Sequence, residues 1–198
     1  MGSQIIRVVK RSEINTACRE SAAKFAHHGW TLPPSPQWDI TDFGLGDFPH
    51  FGLVLITLAN EPEYCEKLMF ARKAQVTPLH AHARKKEDII CRTGRLSFEL
   101  WKEKPDPTAR GTPIEIKRNG SPFSARMGEP FAIEAGERIT LFPGVCHAFW
   151  PESEFCIIGE VSTANDDAHD NFFVNPAIGR FPAIEEDEPA VFRLVNDL

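Results

Sequence analysis

The hydrophobic rhythm of the chain changes once, near residue 51. Before it, Ile14, Cys18, Ala22 and Phe25 recur at helical spacing and share one face. Ser12 suits the N-cap, Glu13 the positive end of the helix dipole, and Gly29 the stop. The next segment, "TLPPSPQWDI", cannot continue the helix, because its prolines remove backbone donors and restrict the residues before them. It reads as a linker or wrapping arm. From Phe51 onwards short runs rich in Val, Ile, Leu and Phe alternate with turn signals: "FGLVLITLA", "EKLMFARKAQ", "KKEDIICRT", "RLSFELWKE", "TPIEIKRN", "FAIEAGERITLFPG", "AFWPES" and "EFCIIGEVS". Within one of them Leu96, Phe98 and Leu100 face one way and Ser97 and Glu99 the other, the period of a strand. Runs spaced about ten residues apart, with no helix between them, predict an antiparallel sandwich or barrel rather than βαβ units. After Ser162 the polar stretch "TANDDAHDN" leads into a tail with prolines, an acidic run and an apolar end, expected to pack along the outside.

Length and composition narrow the class. At 198 residues the chain suits one domain, with a helix and arm over 1–50, a β core over 51–162 and a packed tail over 163–198. A formal net charge of -6 argues against a nucleic-acid footprint, which needs clustered excess base. The basic clusters "RVVKR" and "RKK" are short, are followed closely by acids, and read as solvated surface. The N-terminus has charges at Arg7, Lys10 and Arg11 and no apolar core of a leader, and no run approaches the ~20 apolar residues that span a bilayer. The five cysteines are scattered and form no CxxC pair, which suits reduced thiols in the cytoplasm. No nucleic-acid or membrane partner is expected.

The stretch "TPLHAHARKKEDIICRTG" carries the chemistry. His80 and His82 are two apart, so on a strand both imidazoles leave from the same face. Glu87 follows after a turn's length and can face them from the return strand. An HxH pair alone is as readily a surface feature. Further on, "GERITLFPGVCHAFW" has a strand, a Pro143-Gly144 turn and His147 opening the next strand. Together these resemble the two motifs of the cupin superfamily, a double-stranded β-helix or jelly-roll barrel. The first is HxH, three or four residues, Glu, six residues, Gly, and it is met in full by His80, His82, Glu87 and Gly94. The second, Gly…PxG…H, is met loosely by Gly136, Pro143-Gly144 and His147, with one residue missing between proline and glycine. The resemblance implies a site of three histidines and one glutamate for a divalent ion, and Mn²⁺, Fe²⁺, Co²⁺, Ni²⁺ and Zn²⁺ all suit such donors. Cys91 and Cys146 neighbour these strands without ligand spacing and read as packed thiols.

The resemblance extends beyond the superfamily. "WDITDFGLGDF", "EKLMFARKAQVTPLHAHARKKEDIICRTG", "LFPGVCHAFW", "GEVSTANDD" and "NPAIGRFPAIEEDEP" are similar to the D-lyxose isomerase family of cupins, over most of the chain. The "HxHxxKxEDII" core and the "IGRFPxIEEDE" tail are the most specific parts. Membership implies an aldose–ketose isomerase converting D-lyxose to D-xylulose, and often D-mannose to D-fructose, with Mn²⁺ as the usual metal, working as a cytoplasmic homodimer. One departure is Cys91-Arg92-Thr93-Gly94, where "NRGG" is expected; its single glycine is expected to tighten the turn and alter the pocket wall. Isomerisation needs a proton moved between C1 and C2, unless a hydride shifts instead. Lys67 has strand parity opposite to Leu68 and Phe70, which suits a barrel-lining lysine and matches the family's motif position. Glu160 lies in the apolar run "CIIGEVS", where a carboxylate is costly unless paired, so it is a candidate base or partner to Lys67. Glu185 and Arg180 are candidates to close the pocket, although a solvated acidic face suits Glu186, Asp187 and Glu188 equally well. Asp42 with Gly44 and Gly46 reads as a turn. The competing functions are a metal-dependent cupin dioxygenase and a non-catalytic sugar-binding module.

Overall fold

The computed structural model describes residues 8–166, 169–179 and 183–195. In chain order the elements are β1 Val9–Lys10, α1 Arg11–His27, β2 Trp38–Thr41, α2 Phe48–Phe51, β3 Leu53–Asn60, β4 Tyr64–Arg72, β5 Thr77–His82, β6 Glu87–Thr93 and β7 Arg95–Lys102. They continue with β8 Pro113–Arg118, β9 Ser121–Arg126, β10 Phe131–Glu134, β11 Arg138–Leu141, β12 Val145–Pro151, β13 Phe155–Thr163, β14 Asn171–Phe173 and β15 Ile184–Glu185.

Two sheets carry the fold. One has eight strands in the order β2-β3-β4-β13-β6-β11-β8-β9, and the other five in the order β10-β7-β12-β5-β14. From β4 to β14 the chain alternates between the sheets, interrupted only by the β8–β9 hairpin. That winding is the double-stranded β-helix of a cupin. The sheets stay open at their edges and meet face to face instead of closing into one hydrogen-bonded barrel. Their inner faces bury Met69, Ile89, Leu96, Phe98, Leu100, Ile139 and Phe149 in one core. Ser97 is buried as well, although its parity sets it opposite Leu96. Its hydroxyl donates to Glu152, which makes the position tolerable.

β4 shows how period two divides the labour. Leu68 and Phe70 face outward into a second core, built with Ile14, Cys18 and Phe25 of α1. Lys67 and Met69 face the space between the sheets. The helix ends as its sequence predicts: Gly29 adopts φ 79°, and the Trp30 amide closes on the Phe25 carbonyl at 2.9 Å. Its start differs from expectation. Lys10, not Ser12, is the N-cap residue, and its amide donates to Glu13 Oε2 at 3.1 Å. Ser12 lies inside the first turn, where its hydroxyl donates to Asp187 at 2.7 Å. A distant acid from the tail has taken the place of a local cap.

The arm and tail wrap the eight-stranded sheet. The expected linker has no regular structure before Trp38, where β2 joins β3. The run "FAIEAGERITLFPG" breaks at Gly136, φ 93°, into β10 and β11 on different sheets. β15 pairs with β1, and Phe192 packs on Trp38 with ring centroids 5.2 Å apart. The Gly94 expectation is corrected. This glycine, at φ 88°, lies beside Ser153, Phe155 and Cys156, away from the pocket wall, and a Cβ there would come within 2.6 Å of the Phe155 carbonyl.

Candidate metal centre

Between the two sheets lies a cavity of about 290 Å³, near the lower end of ligand-site volumes. The five-stranded sheet contributes His80 and His82 from β5 and His147 from β12, with His147 directly opposite His80. The eight-stranded sheet contributes Lys67 from β4, Glu87 from β6 and Glu160 from β13, with Glu160 opposite Lys67. All six line the cavity, and each is less than a tenth exposed.

The three histidines offer ligand atoms that all lie within 4.8 Å of one another. Each is oriented through Nδ1 by a backbone carbonyl: His80 by Pro78 at 2.8 Å, His82 by Asp170 at 3.0 Å and His147 by Val145 at 3.0 Å. A proton on Nδ1 leaves Nε2 as the ligand atom, as outer partners do in metal sites. Burial, helped by neighbouring imidazoles at His80 and by Lys85 and His147 at His82, holds both pKa values below the usual histidine range. Burial works against charge on Glu87 too, but His147, Lys85 and His82 outweigh it and hold its carboxylate well below the usual range. Weakened proton affinity at His80 and His82 and an ionised Glu87 favour metal binding, which needs its ligands deprotonated.

A cation fits these donors. His82 Nε2, His147 Nε2 and Glu87 Oε1 are all buried without a hydrogen-bond partner. Glu87 Oε1 nevertheless lies 3.1 Å from His147 Nε2 and 3.5 Å from His82 Nε2. Lone pairs facing a carboxylate oxygen at that range repel one another unless a positive charge sits between them. The donor set, borderline N with hard O, suits a divalent transition ion.

Beside the ligand set lies a chain of charges. Glu160 Oε1 is 3.5 Å from Lys67 Nζ and 3.1 Å from Lys85 Nζ. Lys85 Nζ also reaches Glu87 Oε2 at 3.1 Å, and Lys67 Nζ donates to Asn165 at 3.0 Å. Burial disfavours the Lys85 ammonium, but Glu160 and Glu87 outweigh it and raise its pKa. Sequence reasoning leaves Lys85 in a solvated turn with Arg84 and Lys86, whereas it is 5 % exposed. The lysine in the "HxHxxKxEDII" pattern was the available signal. What turns it inward is Asp170, whose carboxylate accepts the amides of Arg84 and Lys85. Asp170, Asn171 and Phe173 come from the polar stretch and β14, to which the strand pattern assigned nothing.

One expected residue falls elsewhere, and another cannot be placed among the described residues. Glu185 sits on β15 with its side chain half exposed, 3.5 Å from Lys10 Nζ, and takes no part in the cavity. Arg180 lies outside the described residues, next to Gly179, which lines the cavity. Cys91 and Cys146 are buried free thiols of the core, and burial pushes Cys146 up to about 12. Asp42 makes its turn by accepting the Gly44 amide at 2.9 Å.

The comparisons with known proteins agree with this geometry. The family model for D-lyxose isomerase matches residues 35–198. The D-lyxose/D-mannose isomerase of Escherichia coli O157:H7 is 37% identical, the match covering 96% of this chain and 98% of that one. The protein of the same name from Serratia proteamaculans is 40% identical, over 81% of this chain and 75% of its own. The L-ribose isomerase of Acinetobacter sp. DL28 has the same fold at 18% identity, with a TM-score of 0.69 over 91% of this chain and all of that one. The family match runs from before β2 to beyond β14, every strand that lines the cavity included, and the chain belongs to the D-lyxose isomerase family.

Proposed function

We propose that this chain is an aldose–ketose isomerase that interconverts D-lyxose and D-xylulose, and also D-mannose and D-fructose. The observation that carries the reading is one cavity holding a metal-ligand set beside the Lys67–Glu160–Lys85 cluster. His80, His82, His147 and Glu87 would hold the ion, with Mn²⁺ the first choice and Co²⁺, Fe²⁺, Ni²⁺ and Zn²⁺ compatible with the donors. When bound, a divalent ion there supplies Lewis-acid charge for the negative charge that develops on sugar O1 and O2.

The protein's own groups carry the proton. Glu160 is the base candidate, since its carboxylate lies at the cavity wall in contact with two ammonium groups. It takes the proton from C2 and returns it to C1. Lys85, with its pKa raised by Glu160 and Glu87, stays an ammonium and serves as donor rather than base. Lys67 holds Glu160 from the adjacent strand and reaches towards the sugar oxygens. Phe43, Phe149 and Phe173 exclude water from the opposite wall. The protein is proposed to work as a homodimer in the cytoplasm, and its five free, buried cysteines suit a reducing compartment.

The test is direct. Purified protein converts D-lyxose to D-xylulose, loses activity with chelator and recovers it with Mn²⁺. Solvent deuterium at C1 of the ketose after reaction in D₂O identifies proton transfer, because a hydride shift brings in none. Metal-loaded protein that forms no ketose from any pentose or hexose aldose refutes the reading. Oxygen uptake with a diol or diketone points to a dioxygenase, and tight sugar binding without turnover to a binding module.

A further inference from the structure

β14 forms the cavity wall at the edge of the five-stranded sheet, and most of what this segment presents has a visible task. The Asp170 carbonyl holds His82 Nδ1, its carboxylate pins the turn that buries Lys85, and Phe173 lies against His80 with ring centroids 5.3 Å apart. Asn171 has no such task. It is paired in register with His82, as Phe173 is with His80, and both line the cavity. Directly opposed residues of an antiparallel pair hold their Cβ atoms about 4.5–5.5 Å apart, so the amide sits beside a metal-binding histidine.

Its Oδ1 is buried with no hydrogen-bond partner. Buried amide oxygens without a donor are rare in folded proteins, because the loss of water is not repaid. Nor does the strand call for asparagine, a residue depleted in sheets, where a β-branched side chain fits better. The amide therefore presents an acceptor that no protein group answers, open to whatever fills the cavity, water in the free protein and a donor on the ligand in the complex. On the isomerase reading, on which the identity of the donor rests, the molecule that enters is a sugar with a hydroxyl on every carbon past the carbonyl.

We propose that Asn171 is a substrate-binding residue whose amide accepts a hydrogen bond from one hydroxyl of the aldose and thereby selects among sugars. A site built to bond a hydroxyl discriminates strongly against the analogue that lacks it, because its own buried group is then left unpaired. The amide is neutral, so it reads the position of a hydroxyl without drawing in a charged ligand.

The experiment compares the parent with Asn171→Ala and with Asn171→Val, which suits a strand and guards against misfolding. Metal content, calorimetric sugar binding, KM and kcat are measured for D-lyxose and for its 3-, 4- and 5-deoxy analogues. Both variants are expected to retain their metal and to bind D-lyxose about tenfold more weakly, with KM rising by the same factor and kcat changing less than about threefold. For one deoxy analogue the parent already pays that factor, and substitution should then cost nothing further. Equal losses on every sugar, no loss on any, or loss of metal overturn the proposal, the last by making Asn171 a support for His82. If the parent isomerises D-lyxose and the variants match it, this inference fails and the isomerase reading stands. If the parent binds aldoses without turnover and one deoxy analogue cancels the effect, the inference stands and the isomerase reading fails.

Discussion

Two groups of acids in this chain invite the same functional reading and have opposite fates. Glu87 and Glu160 stand in the cavity, 3 % and 6 % exposed, facing imidazoles and ammonium groups from three strands and the β5–β6 turn. Glu186, Asp187 and Glu188 form the denser run, yet they clasp the start of α1 from outside. Glu186 takes two bonds from Arg11, at 2.7 and 2.8 Å, Asp187 takes the Ser12 amide and hydroxyl, and Glu188 takes the Asn15 amide at 2.6 Å. Acids at a helix N-terminus are also favoured by its dipole. What separates the groups is dielectric and geometry. A buried carboxylate oxygen facing partnerless imidazole nitrogens, as Glu87 Oε1 does, calls for a cation, whereas a solvated carboxylate paired to a helix end already has its partner.

The comparison can be broken most severely at Glu87. Glu87→Gln keeps the shape and removes the charge, and it should lower metal content and cut kcat by more than about a hundredfold, since even outer partners of metal ligands are worth 10–100-fold. Metal analysis with steady-state kinetics checks it. Next comes Lys67→Ala, expected to lower kcat by about 10²–10⁴-fold while metal content stays near that of the parent. Unchanged turnover would remove Lys67 from the mechanism.

The tail should respond otherwise. Glu186→Gln with Asp187→Asn should leave kcat within about twofold of the parent and lower the thermal midpoint modestly, because exposed pairs contribute little. A large kcat loss would erase the contrast between the two acidic groups. The smallest expected effect is in acid. Arg11 holds Glu186, and Ser12 holds Asp187, below the usual carboxylate range. Their contribution to stability is present above the unfolded value of about 4 and is lost as pH falls through the lower folded values. Urea unfolding at pH 6 and pH 3 should therefore show the double variant losing less stability on acidification than the parent.

Much of the fold was legible because period and punctuation are local. Lys67 against Leu68 and Phe70 could be assigned to opposite faces from parity alone, and the cavity lining and the α1 core now hold them separately. Ser12 was misread as a cap because the residue that binds its hydroxyl lies 175 positions away. β9 carries too few apolar residues to announce itself, and β14 is only three residues long. Lys85 looked solvated because nothing within the basic run indicates that Asp170 will pull its backbone inward.

By itself the sequence determined the strand alternation, the helix and its stop, the spacing that sets His80 and His82 on one face, and the family pattern that joins Glu87 and His147 to them. Those features depend on neighbours within a turn or a strand, or on a motif that can be compared residue by residue. Only the tertiary structure decided which charges lose their water. It placed Lys85 between Glu87 and Glu160, left the Asn171 amide without a donor, and sent Glu185 to the outside with Lys10. Burial and pairing across sheets depend on residues far apart along the chain, and desolvation, the largest force on a charge, is set by all of them together.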